Sequence, residues 1–376
     1  MFRPLLIAAL ALLLPETKPR GGFVSAPEDV FTGVERVVAV GDIHGDADQL
    51  VAVLRSATLI DEKNAWCGGK AHLVQTGDIL DRGPDSRKAM DLLMRLEVEA
   101  KQAGGAVHAL IGNHEAMNLY GDLRYVSEGE IAAFRDANSE KAREELYQEH
   151  QKSAKGVVFD DTYRRNWDAD HPLGYAEHRR AFGPDGVYGK WIRGHQAAIR
   201  IDGTLFLHGG ISPKYADWGV RTINERIRIE LADFTKLEGG VASDDQGPLW
   251  YRGLALRGKD LEPHLQTVLK NYEVDRIAIG HTYTEGAVMP RFGGRVLQID
   301  VGLSKVYDPA GRCACLEIDH GKVRVLHRGR RLELPLDDRL DLLRYLKEAA
   351  ALDPAPSPLS RQIAALEEAF AEPAKK

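Results

Sequence analysis

Arg36-Val37-Val38-Ala39-Val40-Gly41-Asp42-Ile43-His44-Gly45-Asp46 is the stretch that decides the fold. Its first five residues hold three valines and an alanine, so the run reads as a buried strand that Gly41 ends. Asp46 then stands where an N-cap belongs, ahead of a helix carrying Leu50, Val53 and Leu54 on one face. The pattern continues downstream. His72 to Gln75 reads as a strand stopped by Gly77, and after Pro84 the segment Ala89 to Ala100 has amphipathic spacing through Met90, Leu93, Leu96 and Val98. Val107 to Ile111 reads as a third strand. Strand, helix, strand, helix, strand implies right-handed crossovers and a parallel core sheet.

From Ala116 to about Gly186 the composition shifts to Glu, Arg, Lys and Tyr, with a helical segment over Ser127 to Gln151. That stretch reads as a helical insertion over the sheet edge. Afterwards the chain turns β-rich: Ala197 to Ile201, Thr204 to Leu207, Arg276 to Ile279, Val296 to Ile299, Ala314 to Ile318 and Lys322 to His327. These strands predict a second, mostly antiparallel sheet. The fold expected is α/β (α+β), a central β-sandwich of mixed sheets flanked by helices. A catalytic domain is expected over 27–353. A helix near Leu340 to Ala350 leads to Pro354-Ala355-Pro356-Ser357-Pro358, a proline-rich linker before one short peripheral helix, so 354–376 reads as an appendage.

Hydrophobic residues make up 44% and charged residues 28% of the 376, which suits an ordinary globular enzyme and excludes a disordered or fibrous chain. A net charge of -6 gives no electrostatic reason to expect a nucleic-acid partner. Arg3 precedes an apolar run from Leu5 to Leu14 that is too short to span a bilayer. Its length suits a signal peptide over residues 1–26, cleaved after Ala26, which predicts a periplasmic or secreted protein; the alternative is a cytoplasmic one. Cys67, Cys313 and Cys315 form no CxxC pair, and Cys313 and Cys315 read as two small buried apolar residues.

The chemistry sits where strands end. Gly41-Asp42-Ile43-His44-Gly45-Asp46, Gly77-Asp78-Ile79-Leu80-Asp81-Arg82-Gly83 and Gly112-Asn113-His114-Glu115 each follow an early strand. Leu207-His208-Gly209-Gly210 and Ile279-Gly280-His281-Thr282 follow later ones. Open α/β sheets bind ligands beyond the carboxyl ends of their strands, where such turns meet. Two Asp, one Asn and three His form a mixed oxygen and imidazole donor set suited to first-row divalent metals. Six donors exceed the needs of one tetrahedral zinc and argue for two ions sharing a carboxylate.

The set of signatures GDxHG, GDxxDRG, GNHE, HGG and GH, spread from Gly41 to Thr282, resembles the phosphoprotein phosphatase branch of the calcineurin-like metallophosphoesterases. The run from Asn113 to Val126, with Pro248-Leu249-Trp250-Tyr251-Arg252-Gly253, is more narrowly similar to the bacterial Shewanella-like phosphatases. The resemblance implies a metallophosphoesterase fold and a phosphoric monoester hydrolase acting on phosphoprotein or small phosphoesters. By it, Asp42 and His44 would ligate one metal, Asn113, His208 and His281 the other, and Asp78 would bridge them. The ions implied are divalent, Mn2+ first, with Fe or Zn as alternatives. His114 would be the general acid with Asp81 as its partner. Arg82 and Arg252, helped by Asn113, would bind the phosphate, with Arg193 and Arg221 as competitors for the second arginine.

That inventory supports phosphoester hydrolysis by direct attack of a metal-bridging hydroxide, with arginines on the phosphoryl oxygens and an imidazole protonating the leaving group; the resemblance leaves phosphotyrosine, phosphoserine and phosphothreonine as its expected substrates. Tyr120, Arg124 and Tyr125 in the insertion are candidates to stack on a substrate ring. A dinucleoside polyphosphate hydrolase, which shares the signatures, is the alternative substrate reading. A decayed, non-catalytic phosphate-binding module is disfavoured because the six donors and His114 are all in place.

Overall fold

The computed structural model describes residues 28–335 and 339–371. After β1 (Val30–Phe31), the valine run forms β2 (Arg36–Val40), buried along its last four residues. It pairs in parallel with β3 (His72–Gln75), which pairs in parallel with β4 (Ala106–Ala109). Between them run α1 (Ala47–Ser56) and α2 (Ser86–Gln102). The Asp46 carboxylate caps α1 by accepting the Gln49 N–H at 3.1 Å, and Leu50, Val53 and Leu54 are buried as their spacing requires. In α2 the buried face is Ala89, Met90, Leu93, Leu96 and Ala100. Val98, expected on that face, is 58% exposed, because two residues beyond Leu96 lies on the far side of a 3.6-residue helix.

The insertion is helical throughout: α3 (Asn113–Tyr120), α4 (Glu128–Ala132), α5 (Ser139–Ser153), α6 (Asp161–Asp170), α7 (Tyr175–Phe182) and α8 (Val187–Arg193). The single helix expected over 127–151 is two helices, α4 and α5. They part where the Asp136 carboxylate accepts the Asn138 N–H at 2.6 Å and Ser139 Oγ accepts the Asp136 N–H at 2.9 Å. Short polar side chains there take the backbone groups that helix continuation needs. Phe134, His178, Phe182 and Tyr188 pack their rings together, and Phe134, Phe182 and Tyr188 join the insertion to the main hydrophobic core.

Beyond it come β5 (Ala198–Ile201), β6 (Thr204–Leu207), α9 (Gly219–Ala232), α10 (Gly253–Leu256), α11 (Glu262–Asn271), β7 (Arg276–Ile279), β8 (Met289–Arg291) and β9 (Val296–Gln298). The chain then forms β10 (Ala314–Asp319), β11 (Lys322–His327) and β12 (Arg330–Glu333), followed by α12 (Arg339–Ala350) and α13 (Ser360–Ala371). One sheet has the order β1-β5-β6-β7-β9-β8, the other β12-β11-β10-β2-β3-β4. Residues of both enter one hydrophobic core.

The second sheet is not mostly antiparallel, as the strand pattern suggested. β6, β7 and β9 are parallel, because helical crossovers rather than hairpins separate β6 from β7. The late antiparallel strands β10 to β12 instead extend the first sheet. Their turns, His320-Gly321 and Arg328-Gly329, place both central residues at positive φ, the geometry whose twist matches a tight hairpin.

Leu359, just past the proline-rich stretch, is fully buried, and Gln362 Nε2 donates to the Thr284 carbonyl at 2.9 Å, so this segment is fastened to the body. Helix α13 itself buries no residue. Cys313 and Cys315 are buried and unpaired. The expected signal peptide over 1–26 lies outside the described residues, as do residues 372–376. Among the described residues no helix is long and apolar enough to cross a membrane.

Candidate active site

The turn after β2 abuts the segment after β9, and the turns after β3 and β4 abut each other, with almost no room between backbones. A Cβ on Gly41 would lie 2.4 Å from the Ile299 carbonyl oxygen, and one on Gly112 would lie 2.3 Å from Asp78 Oδ1. Both positions therefore require glycine. His44, Asp78, Asp81, Arg82 and His281 all adopt positive φ, between 45° and 71°. Left-handed backbone costs about 1–3 kcal/mol per side-chain-bearing residue, so its concentration here marks a site held by its surroundings.

Asp42, His44, Asp78, Asn113, His208 and His281 are all brought together and all buried. Asp78 Oδ2 lies 3.2 Å from His208 Nε2 and 3.8 Å from His44 Nε2. His208 Nε2 is 2.9 Å from Asn113 Oδ1 and 3.1 Å from His281 Nδ1. Each of these rings has its other nitrogen against a carbonyl: His44 Nδ1 at Leu80 (3.1 Å), His208 Nδ1 at Thr76 (2.9 Å), His281 Nε2 at Trp250 (3.1 Å). A carbonyl can only accept, so those nitrogens carry the proton and the inward ones present lone pairs. His208 Nε2, His281 Nδ1, Asn113 Oδ1 and Asp78 Oδ2 are thus acceptors turned toward one another, an arrangement that fits a cation. Around Asp78, two donor groups have atoms within 4.8 Å of one another: Asp78 with His208 and His281, and Asp78 with His44 and His114.

Electrostatics agrees. Burial, then the neighbouring Asp300 and Asp78, hold the Asp42 carboxyl well above the usual carboxylate range. Burial pushes Asp300 up to about 6, and burial with Asp78 raises Glu115. Asp78 goes the other way: burial opposes its charge, but His114 and His208 outweigh it and hold the carboxyl well below the ordinary value. Burial pulls His44 down to about 3 and holds His281 well below its ordinary value, the latter aided by His208 and Arg252. Neutral imidazoles and crowded carboxylates are what divalent cations bind best.

His114 Nδ1 lies 2.5 Å from Asp81 Oδ2, and Asn118 Nδ2 donates to the other Asp81 oxygen at 2.8 Å. Burial opposes charge on His114, but Asp78 and the Asp81 hydrogen bond outweigh it and raise its pKa. His114, Arg82 and Arg252 open on one cavity of about 240 Å3 with Asp42, His44, Asp78, Asn113 and His281. The resemblance pairs Asp42 with His44. Asp42 Oδ2 is 3.8 Å from His44 Nε2, and the Asp42 carboxylate accepts the His281 N–H at 3.1 Å. His114 also lies within donor reach of His44 and Asp78, so proximity alone leaves two roles for it. Arg252 spends one guanidinium nitrogen on the His281 carbonyl (2.5 Å) and Thr282 Oγ1 (3.2 Å), which orients the rest of its fork.

The two competitor arginines are elsewhere. Arg193 donates to the carbonyls of Leu231, Gly183 and Gly189, and the Arg221 side chain is 79% exposed beside Asp29. Of the three insertion residues offered as ring-stacking candidates, Tyr125 lines the cavity; Arg124 pairs with Asp122 at the surface. Sequence reasoning missed Asp300, Tyr283, Tyr307 and Trp250, which also line it. Asp300 carried a usable signal, since it follows strand β9 much as Asp42 follows β2. The aromatic residues sit in irregular segments with no periodicity to mark them.

A Schizosaccharomyces pombe uncharacterized protein is 32% identical over 79% of this chain and 82% of its own. Shewanella-like protein phosphatase 2 of Arabidopsis thaliana is 29% identical over 73% of each chain. Among solved structures, a cold-active protein-tyrosine phosphatase of a psychrophilic Shewanella species superposes with a TM-score of 0.65 at 28% identity, covering 86% of this chain and 87% of that one. The calcineurin-like phosphoesterase family model matches residues 35–285, most of the body just described. This chain belongs to the calcineurin-like phosphoesterase family.

Proposed function

We propose that this protein is a metal-dependent phosphoprotein phosphatase with a preference for phosphotyrosine. The observation that carries the reading is the 2.5 Å His114–Asp81 pair, opening on the same cavity as the donor cluster and two arginines. Asp42 and His44 on one side, Asn113, His208 and His281 on the other, with Asp78 between, would hold two divalent ions, Mn2+ first and Fe or Zn as alternatives. When bound, such ions supply the charge that activates water and neutralises phosphoryl oxygens.

The chain's own residues do the remaining work. Arg82 and Arg252, with the Asn113 amide, grip the phosphoryl oxygens; a planar guanidinium fork takes two at once. The Arg82 guanidinium carbon lies 5.4 Å and 5.8 Å from the Tyr125 and Tyr307 ring centres, which hold its charge in place. Asp81 keeps the proton of His114 Nδ1, so the proton delivered to the leaving oxygen comes from Nε2. Tyr125, Tyr283, Tyr307 and Trp250 surround the cavity with rings, which favours an aryl ester over an alkyl one.

Protein analysed for metal and assayed on matched phosphotyrosine, phosphoserine and phosphothreonine peptides, with diadenosine tetraphosphate as a further substrate, tests this. We expect the phosphotyrosine peptide to turn over fastest, and His114→Asn to lose turnover while keeping its metal. Wild type that leaves every phosphopeptide intact sinks the reading; His114→Asn that loses metal makes His114 a ligand. From the apolar run Leu5 to Leu14 we further propose that the protein is exported, with residues 1–26 removed; an intact N-terminus on protein from its own cell would exclude the cleavage.

A further inference from the structure

The insertion meets the turn Asp81-Arg82-Gly83 at three points, all contributed by Tyr125 to Glu130. The Arg82 N–H donates to the Tyr125 carbonyl at 2.9 Å. Ser127 Oγ donates to the Gly83 carbonyl at 3.0 Å. The Asp81 N–H donates to Glu130 Oε2 at 3.1 Å and to Ser86 Oγ at 3.2 Å. A Cβ on Gly129 would lie 2.6 Å from Pro84 Cβ, so α4 rests directly on the residue that follows the turn.

The turn needs such support. Asp81 and Arg82 stand consecutively at φ 71° and 68°, a backbone that reverts to ordinary geometry unless its neighbours hold it. Glu130 is the unusual member of the support. It lies in a short helix of a polar insertion, yet is fully buried, and it has no ion pair among the described residues. Burying a carboxyl without a cation is costly, and the Asp81 N–H is the backbone group it meets.

We propose that Glu130 is a positioning residue, and that the strap from Tyr125 to Glu130 sets the Asp81 carboxylate against His114 and thereby aims the proton given to the leaving oxygen. This rests on reading His114 as the general acid. Misplacing a proton donor by about 1 Å costs up to about a hundredfold, and only where the leaving group needs the proton.

The test uses full-length, metal-loaded protein and two substrates. One is a phosphotyrosine peptide; the other is 2,4-dinitrophenyl phosphate, whose leaving oxygen is acidic enough to depart unprotonated. Glu130→Ala is expected to lower kcat about tenfold on the peptide and by less than about twofold on the dinitrophenyl ester. Its metal content should match wild type, and the amides of residues 79–85 should exchange hydrogen faster. Glu130→Gln keeps an acceptor for the Asp81 N–H and should restore both rate and protection. Ser127→Ala, a milder cut of the same strap, should give a smaller loss with the same selectivity, and stands in if Glu130→Ala does not fold. Equal loss on both substrates, or unchanged exchange at 79–85, overturns the strap and leaves the phosphatase reading standing. Wild type inactive on both substrates removes the phosphatase reading itself, and the strap with it.

Discussion

His178→Phe should stabilise the protein more at pH 5 than at pH 7.5, by an amount the structure sets. His178 is fully buried, packs its ring 4.5 Å from Phe182 and 5.0 Å from Phe134, and has no hydrogen bond at either ring nitrogen among the described residues. Burial, helped by the Arg179 charge, pulls its pKa down from 6.5 to about 3. The sign follows from proton uptake. Above pH 6.5 neither state holds the extra proton. Between 6.5 and about 3 the unfolded chain takes it up and the folded chain does not, so stability falls as pH falls through that window. At pH 5 the cost is about 1.5 pH units at 1.36 kcal/mol each, or about 2 kcal/mol. Phenylalanine has no proton to gain, so it escapes this cost.

Urea denaturation of wild type and His178→Phe, both in excess chelator, measures the gap. The chelator matters because metal affinity has its own pH dependence. Any packing penalty from the larger ring is the same at both pH values and drops out of the comparison. His44, which shares the depressed pKa, is present in both proteins and also cancels. The stability gap should widen by about 2 kcal/mol between pH 7.5 and pH 5. A gap that changes by less than about 0.5 kcal/mol would refute the reasoning, because it would mean His178 charges as readily folded as unfolded.

Asp81→Asn removes a charge-assisted hydrogen bond worth about 1.5–3 kcal/mol and one of the two influences that keep His114 protonated, so turnover of a phosphotyrosine peptide at neutral pH should fall about 10- to 100-fold. The alkaline limb of its kcat/KM profile should move to lower pH, and an unmoved limb would remove Asp81 from the acid pair. Gly112→Ala puts a methyl 2.3 Å from Asp78 Oδ1 and 2.6 Å from the Asp78 nitrogen, neither free to retreat, so bound metal should drop by at least half. Full metal content by elemental analysis would show that the Gly112–Asp78 contact does not fix the ligand in place. Tyr307→Leu removes one of the two rings beside Arg82, worth about 0.5–1 kcal/mol, and should raise KM about 2- to 5-fold with kcat unchanged. A fall in kcat at constant KM would give Tyr307 another role.

Much of this was legible because strand ends obey local rules. Gly41, Gly77 and Gly112 announce turns, and the polar residues behind them can only be spared from the solvent-facing surface if something binds there. The parallel crossovers follow from helix and strand periods alone. What escaped was set by the third dimension. Sheet membership of β10 to β12 depends on which edge is free, and the sequence of each hairpin is the same whichever edge it joins. Val98 satisfied an apolar count while failing the 3.6-residue angle. Glu130 could not be found at all: a glutamate in a polar stretch looks solvated until the chain folds it against the Asp81 N–H.

The same contrast explains how the labour is divided within the molecule. The donor turns are packed so closely that a side chain on Gly41 would meet Ile299 and one on Gly112 would meet Asp78. Arg82, on the cavity wall, and the His114–Asp81 pair lean on the insertion, through the Tyr125 carbonyl, the Ser127 hydroxyl and the Glu130 carboxyl. Tyr125 serves both ends, since its carbonyl fixes the Arg82 backbone while its ring lies 5.1 Å from the His114 ring and faces the cavity. On the proposed reading, substituting its ring should alter what the mouth admits, whereas displacing its backbone should alter the turn that carries Asp81. On the same reading, substrate choice and proton delivery are coupled through one residue, so variants of the insertion that change specificity should also change the leaving-group dependence of kcat.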